Sequence, residues 1–339
     1  MAAADRNPEL ERAIEARPDD PEPYLVFGDW LIARGDPRGE LVALMHRFGA
    51  DWHPFAPDGG ELKREIGRRF GASRRALMGP LADLDEAAFY ALWRWGFVRR
   101  LELHRGDDRL LGSILEHPCA RFLRELTIPR SPRQVERLCR RGFAPATLRV
   151  LTVFGGDGSY AADGIFEAVP SLEILALGGV ERTGPIAHER LRELRLVDAS
   201  LDAAVGALVG GRLPALESLT IGGAGVEAIP DAFSPLLADP RAALPALQEL
   251  FIVHPRRSPP LLRTLLGSPL LGRLRRLGVT GLVESPDLQT LLEHRAALAH
   301  LERLQLDPIR VDDGALLEQV RAIAKEVVGP YDDPGGHFE

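Results

Sequence analysis

A chain of 339 residues with 45% hydrophobic and 27% charged residues is expected to fold, being neither disordered nor fibrous in composition. Its net charge of −7 disfavours unspecific attraction to phosphate backbones or anionic lipid, so nucleic acid is not the expected partner unless a local basic patch supplies one. Two cysteines, Cys119 and Cys139, are too few for a disulfide scaffold or, alone, for a zinc site, and both are expected as buried thiols between strands.

Taken in chain order, residues 7–48 contain three helix starts: Asn7-Pro8-Glu9, Asp20-Pro21-Glu22 and Asp36-Pro37-Arg38. In each, a side-chain acceptor stands at the N-cap and proline occupies the first helical position, where its missing N–H costs nothing. Spacing predicts Leu10 and Ile14 on one face of the first helix, Tyr24, Phe27 and Leu31 on one face of the second, and Leu41, Leu44 and Phe48 on one face of the third. Gly35 suits a left-handed helix C-terminus. The run Arg17-Pro-Asp-Asp20, then Tyr24-Leu-Val-Phe-Gly-Asp-Trp-Leu31 and Arg34-Gly-Asp-Pro-Arg-Gly-Glu-Leu41, resembles the bacterial repeat-companion domain, with Gly28 where alanine is usual and Ala33 where an acid is usual. The resemblance implies repeats downstream and no chemistry of its own. Asp29 and Trp30 are its most recognisable pair here, read as a structural acceptor and a packing ring.

Residues 49–60 form an expected loop around Pro54, Pro57, Gly59 and Gly60. From Glu61 to Met78 helical spacing returns, with Leu62, Ile66 and Phe70 in one stripe. Lys63, Arg64, Arg68, Arg69, Arg74 and Arg75 lie on other faces. This basic amphipathic segment is read first as a core-facing helix with a solvated back, and second as a dock for acidic protein, anionic lipid or nucleic acid. Phe89-Tyr-Ala-Leu-Trp-Arg-Trp95 is expected to cap the open end of a strand array that begins at Val98.

Between Val98 and Leu306 the phrase apolar-x-x-apolar-x-apolar returns nine times, at steps of 19 to 31 residues. The copies begin at Val98, Leu123, Leu148, Leu172, Leu191, Leu216, Leu247, Leu274 and Leu301. Because strand side chains alternate faces, positions 4 and 6 point one way and positions 3, 5 and 7 the other. Neighbouring strands stacked in parallel would share one apolar core. Period and pattern together resemble leucine-rich repeats over about two thirds of the chain. The Asn or Cys usual just past the phrase is replaced by Pro129, Arg130, Gly155, Gly178, Gly222 and Gly223, so other bonds must satisfy the loop backbone. Trp95-Gly-Phe-Val98 is similar to the junction that opens the repeats in companion-domain proteins.

The resulting expectation is an α/β fold: a leucine-rich-repeat solenoid, a curved parallel sheet with outer helices, following a small N-terminal helical domain. Its divisions are a helical repeat-companion domain at 1–50, a helical linker and N-terminal cap at 51–97, and the solenoid at 98–328. Gly314–Val328 is read as a closing helix on Leu316, Val320, Ile323 and Val327, and 329–339 as a loose tail.

Fragments that imitate catalytic motifs fail on context. Gly223-Ala-Gly-Val-Glu-Ala228 matches a dinucleotide fingerprint, but Pro230 and the repeat spacing make it a turn. Asp157–Gly164 has Ala161 and Ala162 where a calcium loop needs a ligand and a glycine. His294 and His300 lack zinc-pair spacing. No enzyme and no cofactor are expected. With no apolar run near about 18 residues and no signal-peptide core at Met1–Leu10, neither membrane insertion nor export is expected, and a cytoplasmic location follows.

The functional expectation is a non-catalytic scaffold that binds a protein on the concave face, through Phe154, Glu193, Arg195, Val197, Glu249, Phe251, Val253 and Arg303. Neither the partner nor the oligomeric state is specified by the pattern. A second expectation is a regulatory component or protease target of a bacterial stress or defence system, cut at loops 49–60 or 254–260. Nucleic-acid binding through the helix at 61–78 ranks third.

Overall fold

All three predicted helix starts form as read. Helix α1 spans Pro8–Ala16, α2 Pro21–Ile32 and α3 Pro37–Phe48, and the Asn7, Asp20 and Asp36 side chains accept from the N–H groups of Leu10, Glu22 and Arg38. The computed structural model describes residues 6–49, 51–54, 60–140, 142–155, 159–162, 164–199, 204, 207–208, 210–222, 234, 237–238, 244–253, 259–283, 285–309, 314–324 and 326–328. The fingerprint-like run Gly223–Ala228, the tail 329–339 and most of the two candidate cleavage loops lie outside them. The chain divides into two compact units, residues 1–158 with 167–172, and residues 159–166 with 173–339.

The first unit builds its core from α1–α3 and the strands that come after them. Helix α4 covers Gly60–Ala72 and α5 Arg74–Met78, so the predicted basic helix is broken at Ser73; Ile66 and Phe70 are its buried stripe. Strand β1 (Phe89–Arg94) turns through Trp95-Gly96 into antiparallel β2 (Phe97–Leu103). Both turn residues have positive φ, 48° and 78°, as a two-residue hairpin with the right twist requires. A left-handed tryptophan costs about 1–2 kcal/mol. Packing holds it there: Tyr24 lies 4.6 Å from the Trp95 ring and the Arg94 guanidinium 4.4 Å above it. A Cβ on Gly96 would sit 2.8 Å from the Arg38 carbonyl, so α3 rests directly on the turn.

Ile14, Tyr24, Phe27, Leu31, Val42, Trp95, Phe97 and Phe122 make one buried cluster. The helices therefore share a core with the first strands, and no boundary between compact units falls near residue 50 or 97. On α3 the buried face is Leu41, Val42 and Met45, not Leu41, Leu44 and Phe48. The cause is the hairpin, whose Gly96 N–H points at Met45 Sδ and whose Cα abuts Val42. Beyond β2, helix α6 (Asp108–Glu116), β3 (Glu125–Ile128), α7 (Pro132–Leu138) and β4 (Val150–Val153) continue the unit. Strands β2, β3 and β4 pair in parallel, with Leu101, Leu126 and Leu151 in one rung.

In the second unit a short parallel pair, β5 (Tyr160–Ala161) and β7 (Val180–Arg182), stands apart from the main ladder. That ladder runs β6 (Ile174–Gly178), β8 (Glu193–Val197), β9 (Ser218–Gly222), β10 (Glu249–Val253), β11 (Arg276–Val283), β12 (Arg303–Ile309) and β13 (Glu326–Val328), all parallel neighbours. Position 4 of each phrase meets position 4 of the next: Leu175, Leu194, Leu219, Leu250, Leu277, Leu304. All six are fully buried, and the position-6 residues Leu177, Leu196, Ile221, Ile252, Val279 and Leu306 are buried beside them. Helices Pro259–Leu266, Ser285–Glu293 and Gly314–Arg321 lie between successive strands and bury Leu265, Leu288, Leu291 and Val320. The chain is thus a mixed α/β fold whose sheets are mostly parallel, and all nine phrases are strands.

The predicted closing helix at 314–328 is corrected: helix stops at Arg321, and Glu326–Val328 pairs with Arg303–Gln305 as a further strand. Where the Asn or Cys would stand, main-chain bonds between successive turns serve: Arg130 N–H donates to the Gly155 carbonyl at 2.9 Å and Gly179 N–H to Val197 at 2.9 Å. Side chains bond carbonyls at the other end of the strand. Thr147 Oγ1 donates to the Leu123 carbonyl at 2.8 Å, Ser171 Oγ to Leu148 at 2.7 Å, and His300 Nε2 lies 2.9 Å from the Leu271 carbonyl. Each of these residues immediately precedes a repeat's first leucine.

Candidate protein-binding face

Seven of the eight predicted site residues fall on one face of the second unit's ladder, because positions 3, 5 and 7 alternate against the buried leucines. Register sets them in rows. Row three runs Ile174, Glu193, Ser218, Glu249, Arg276, Arg303, Glu326, and row five Ala176, Arg195, Thr220, Phe251, Gly278, Gln305. Row seven runs Gly178, Val197, then Gly222, Val253.

Five of the seven row-three residues are charged, and each is paired. Arg276 meets Glu249 at 3.0 Å across β10 and β11, Arg303 meets Glu326 at 3.4 Å across β12 and β13, and Arg195 reaches back to Glu193 at 2.5 Å. At such partly exposed positions each pair contributes no more than about 1 kcal/mol. Their larger effect is to fix where charge is presented.

Phe251 of row five and the glycines and valines of row seven form an apolar shelf. Phe251 is half-buried because its ring lies over Gly278, where an added Cβ would strike Cδ1. Gly222 sits between valines: a Cβ there would come within 2.9 Å of Val253 Cβ and 3.4 Å of Val197 Cγ1. Thr220 is 5% exposed between Arg195 and Phe251. Thr220, Gly222, Arg276, Gly278 and Glu326 were absent from the predicted set. Position counting along the phrases would have found all but Glu326, whose strand carries no phrase.

Phe154 is in the first unit, 40% exposed, its N–H donating to the Ile128 carbonyl at 3.0 Å. The basic segment, in turn, spends much of its charge locally: Arg68 and Arg69 pair with Glu65, Arg69 also with Glu40, and Arg75 with Asp83.

Glu11, 2% exposed, accepts from Asn7 N–H and pairs with Arg6 and Arg121. Arg99, the extra residue in a bulge opposite Leu92 and Trp93, pairs with Asp19, which Arg124 also engages at 2.6 Å. Burial alone would raise the Asp19 carboxyl, yet the two arginines together hold it below its usual range. Burial followed by Arg38 pushes His117 down. Cys119 is buried and its thiol is pushed up to about 12 by desolvation, an inert group, whereas Cys139 is only partly buried. Asp29 is exposed, and Trp30 stacks on Phe27 at 5.4 Å under the Arg34 guanidinium. Among the described residues no three His, Cys, Asp or Glu side chains converge as for a metal, and no helix is long and apolar enough to cross a membrane.

No protein-family model and no curated protein sequence matches the chain. Among solved structures, the crystal structure of a structural-genomics target from Bacteroides fragilis is similar, with a TM-score of 0.58 and 17% sequence identity, covering 81% of this chain and 84% of that chain. At that identity the likeness is one of fold.

Proposed function

We propose that the chain is a leucine-rich-repeat protein, with residues 7–48 as its companion domain, that binds a protein partner on the outward face of the second unit's ladder. The observation that carries this reading is the apolar shelf of Val197, Gly222, Val253 and Phe251 beside a row of fixed charges. Wide apolar ground with charged margins is what protein interfaces use, with aromatic and arginine side chains as anchors. Phe251 and Arg195 are those anchors here, and Glu193, Glu249 and Arg303 set register. Phe154 is a separate contact on the first unit.

Affinity capture from the native host, quantified for wild type and Phe251→Arg, tests it. The variant is expected to lose the captured partner at least tenfold while keeping the wild-type circular dichroism spectrum, and Arg212→Glu, an exposed change off this face, retains it. Equal capture by wild type and Phe251→Arg would remove the shelf from the interface.

A further inference from the structure

Helix α2 carries a second surface that its own unit leaves open. Of its twelve residues only Glu22 and Asp29 are charged. Tyr24, Phe27, Gly28 and Leu31 are buried in the unit's core and Leu25 and Trp30 pack partly against it, while Val26, Asp29 and Ile32 look outward. Val26 at 54% exposure and Ile32 at 47% are two of only three large hydrophobic residues exposed among those described. A surface helix confines its apolar residues to one stripe, and a helix apolar all round is normally enclosed. On helix α2 Val26 and Ile32 stand outside the buried stripe, beside Glu22 and Asp29.

That side has a definite charge pattern. Glu22 and Asp29, two turns apart, form a ridge on one face, with Ile32 along one edge and Val26 along the other, beyond which half-buried Trp30 lies under the Arg34 guanidinium. Both carboxylates are exposed, and neither is paired with a cation among the described residues. We infer that this face docks a basic amphipathic helix of a partner protein, its Arg or Lys side chains reaching Glu22 and Asp29 and its apolar side chains covering Val26 and Ile32. A second copy of α2 fits poorly. Antiparallel pairing centred on Asp29 would set Val26 against Ile32 but bring the two Asp29 carboxylates together, and parallel pairing would align both acids with themselves. An anionic lipid surface is repelled by the same two groups.

The site is independent of the ladder face, and so is its test. The probe is a peptide of about 18 residues, long enough to be helical, carrying leucine on one face and arginine on the other, alongside a twin with glutamate for arginine. Calorimetric titration of the full chain is expected to show binding of the arginine peptide and none of its twin. Glu22→Gln with Asp29→Asn should weaken binding about tenfold, roughly 1.4 kcal/mol. Val26→Ser with Ile32→Ser should weaken it comparably, Phe251→Arg should leave it intact, and circular dichroism should report the same fold for every variant. Failure of the arginine peptide to bind, or equal binding by the charge-neutralised variant, overturns the inference. So does a wild-type dimer in sedimentation equilibrium that Val26→Ser with Ile32→Ser dissolves, since the face would then be covered by a second copy.

Discussion

His117 shows how one buried side chain makes stability depend on pH. Its Nδ1 accepts from the Cys119 N–H at 3.2 Å, it packs against Gly79, and Arg38, Asp36 and Arg121 surround it. Burial and Arg38 hold its pKa below the ordinary 6.5, so on acidification the folded state takes up fewer protons than the unfolded chain. The stability tied to its neutral form is complete above 6.5 and is lost as pH falls below that value. The unfolding midpoint should therefore drop between about pH 7.5 and about pH 5.5, and His117→Asn, which keeps an acceptor for Cys119, should flatten that drop. An unchanged slope in the variant would assign the effect elsewhere. Gly39 gives a steric case: a Cβ there would meet the Gly28 carbonyl and Ile32, so Gly39→Ala should cost about 1–3 kcal/mol in urea unfolding despite its higher helix propensity.

At the scale of elements, caps and rungs act with different strength. Asp20→Ala removes the acceptor for Glu22 N–H and should cost about 1 kcal/mol. Leu219→Ala empties a rung flanked by Leu194 and Leu250 and should cost about 2–5 kcal/mol, whereas Arg276→Ala, one half of an exposed pair, should cost under about 1 kcal/mol. Equal costs for the two would mean that the surface charges, not the leucines, hold the ladder. Helix starts were legible because capping is settled within three residues. The buried face of α3 was not, since Val42 and Met45 are chosen by a hairpin some fifty residues away in sequence. The last segment departs from its helical spacing for a related reason: Val320 and Ile323 do keep that spacing, but Glu326–Val328 gains more from the open edge of β12 than from another helical turn.

In the whole molecule, the second unit's ladder should not be uniformly stable, since inner strands have neighbours on both sides and β13 pairs only with β12. Hydrogen exchange is expected to be slowest in β9 and β10 and fastest, within that ladder, in β13; matching protection at both places would count against the end-to-centre gradient. What the sequence alone determined is whatever repeats. The apolar phrase names the strands, its parity names their buried and outward sides, and aligning the copies already states which residues share a rung. Seven of the eight candidate residues were found together for that reason. Tertiary structure decided what does not repeat: that α1–α3 share a core with β2 through Trp95, Phe97 and Phe122, that the Phe251 ring lies over Gly278, and that Phe154 falls in a different compact unit from the other seven. The physical reason is one of range. Alternation and capping are set by neighbours a few bonds away and leave a mark in every copy, whereas aromatic packing depends on single residues brought together from distant parts of the chain.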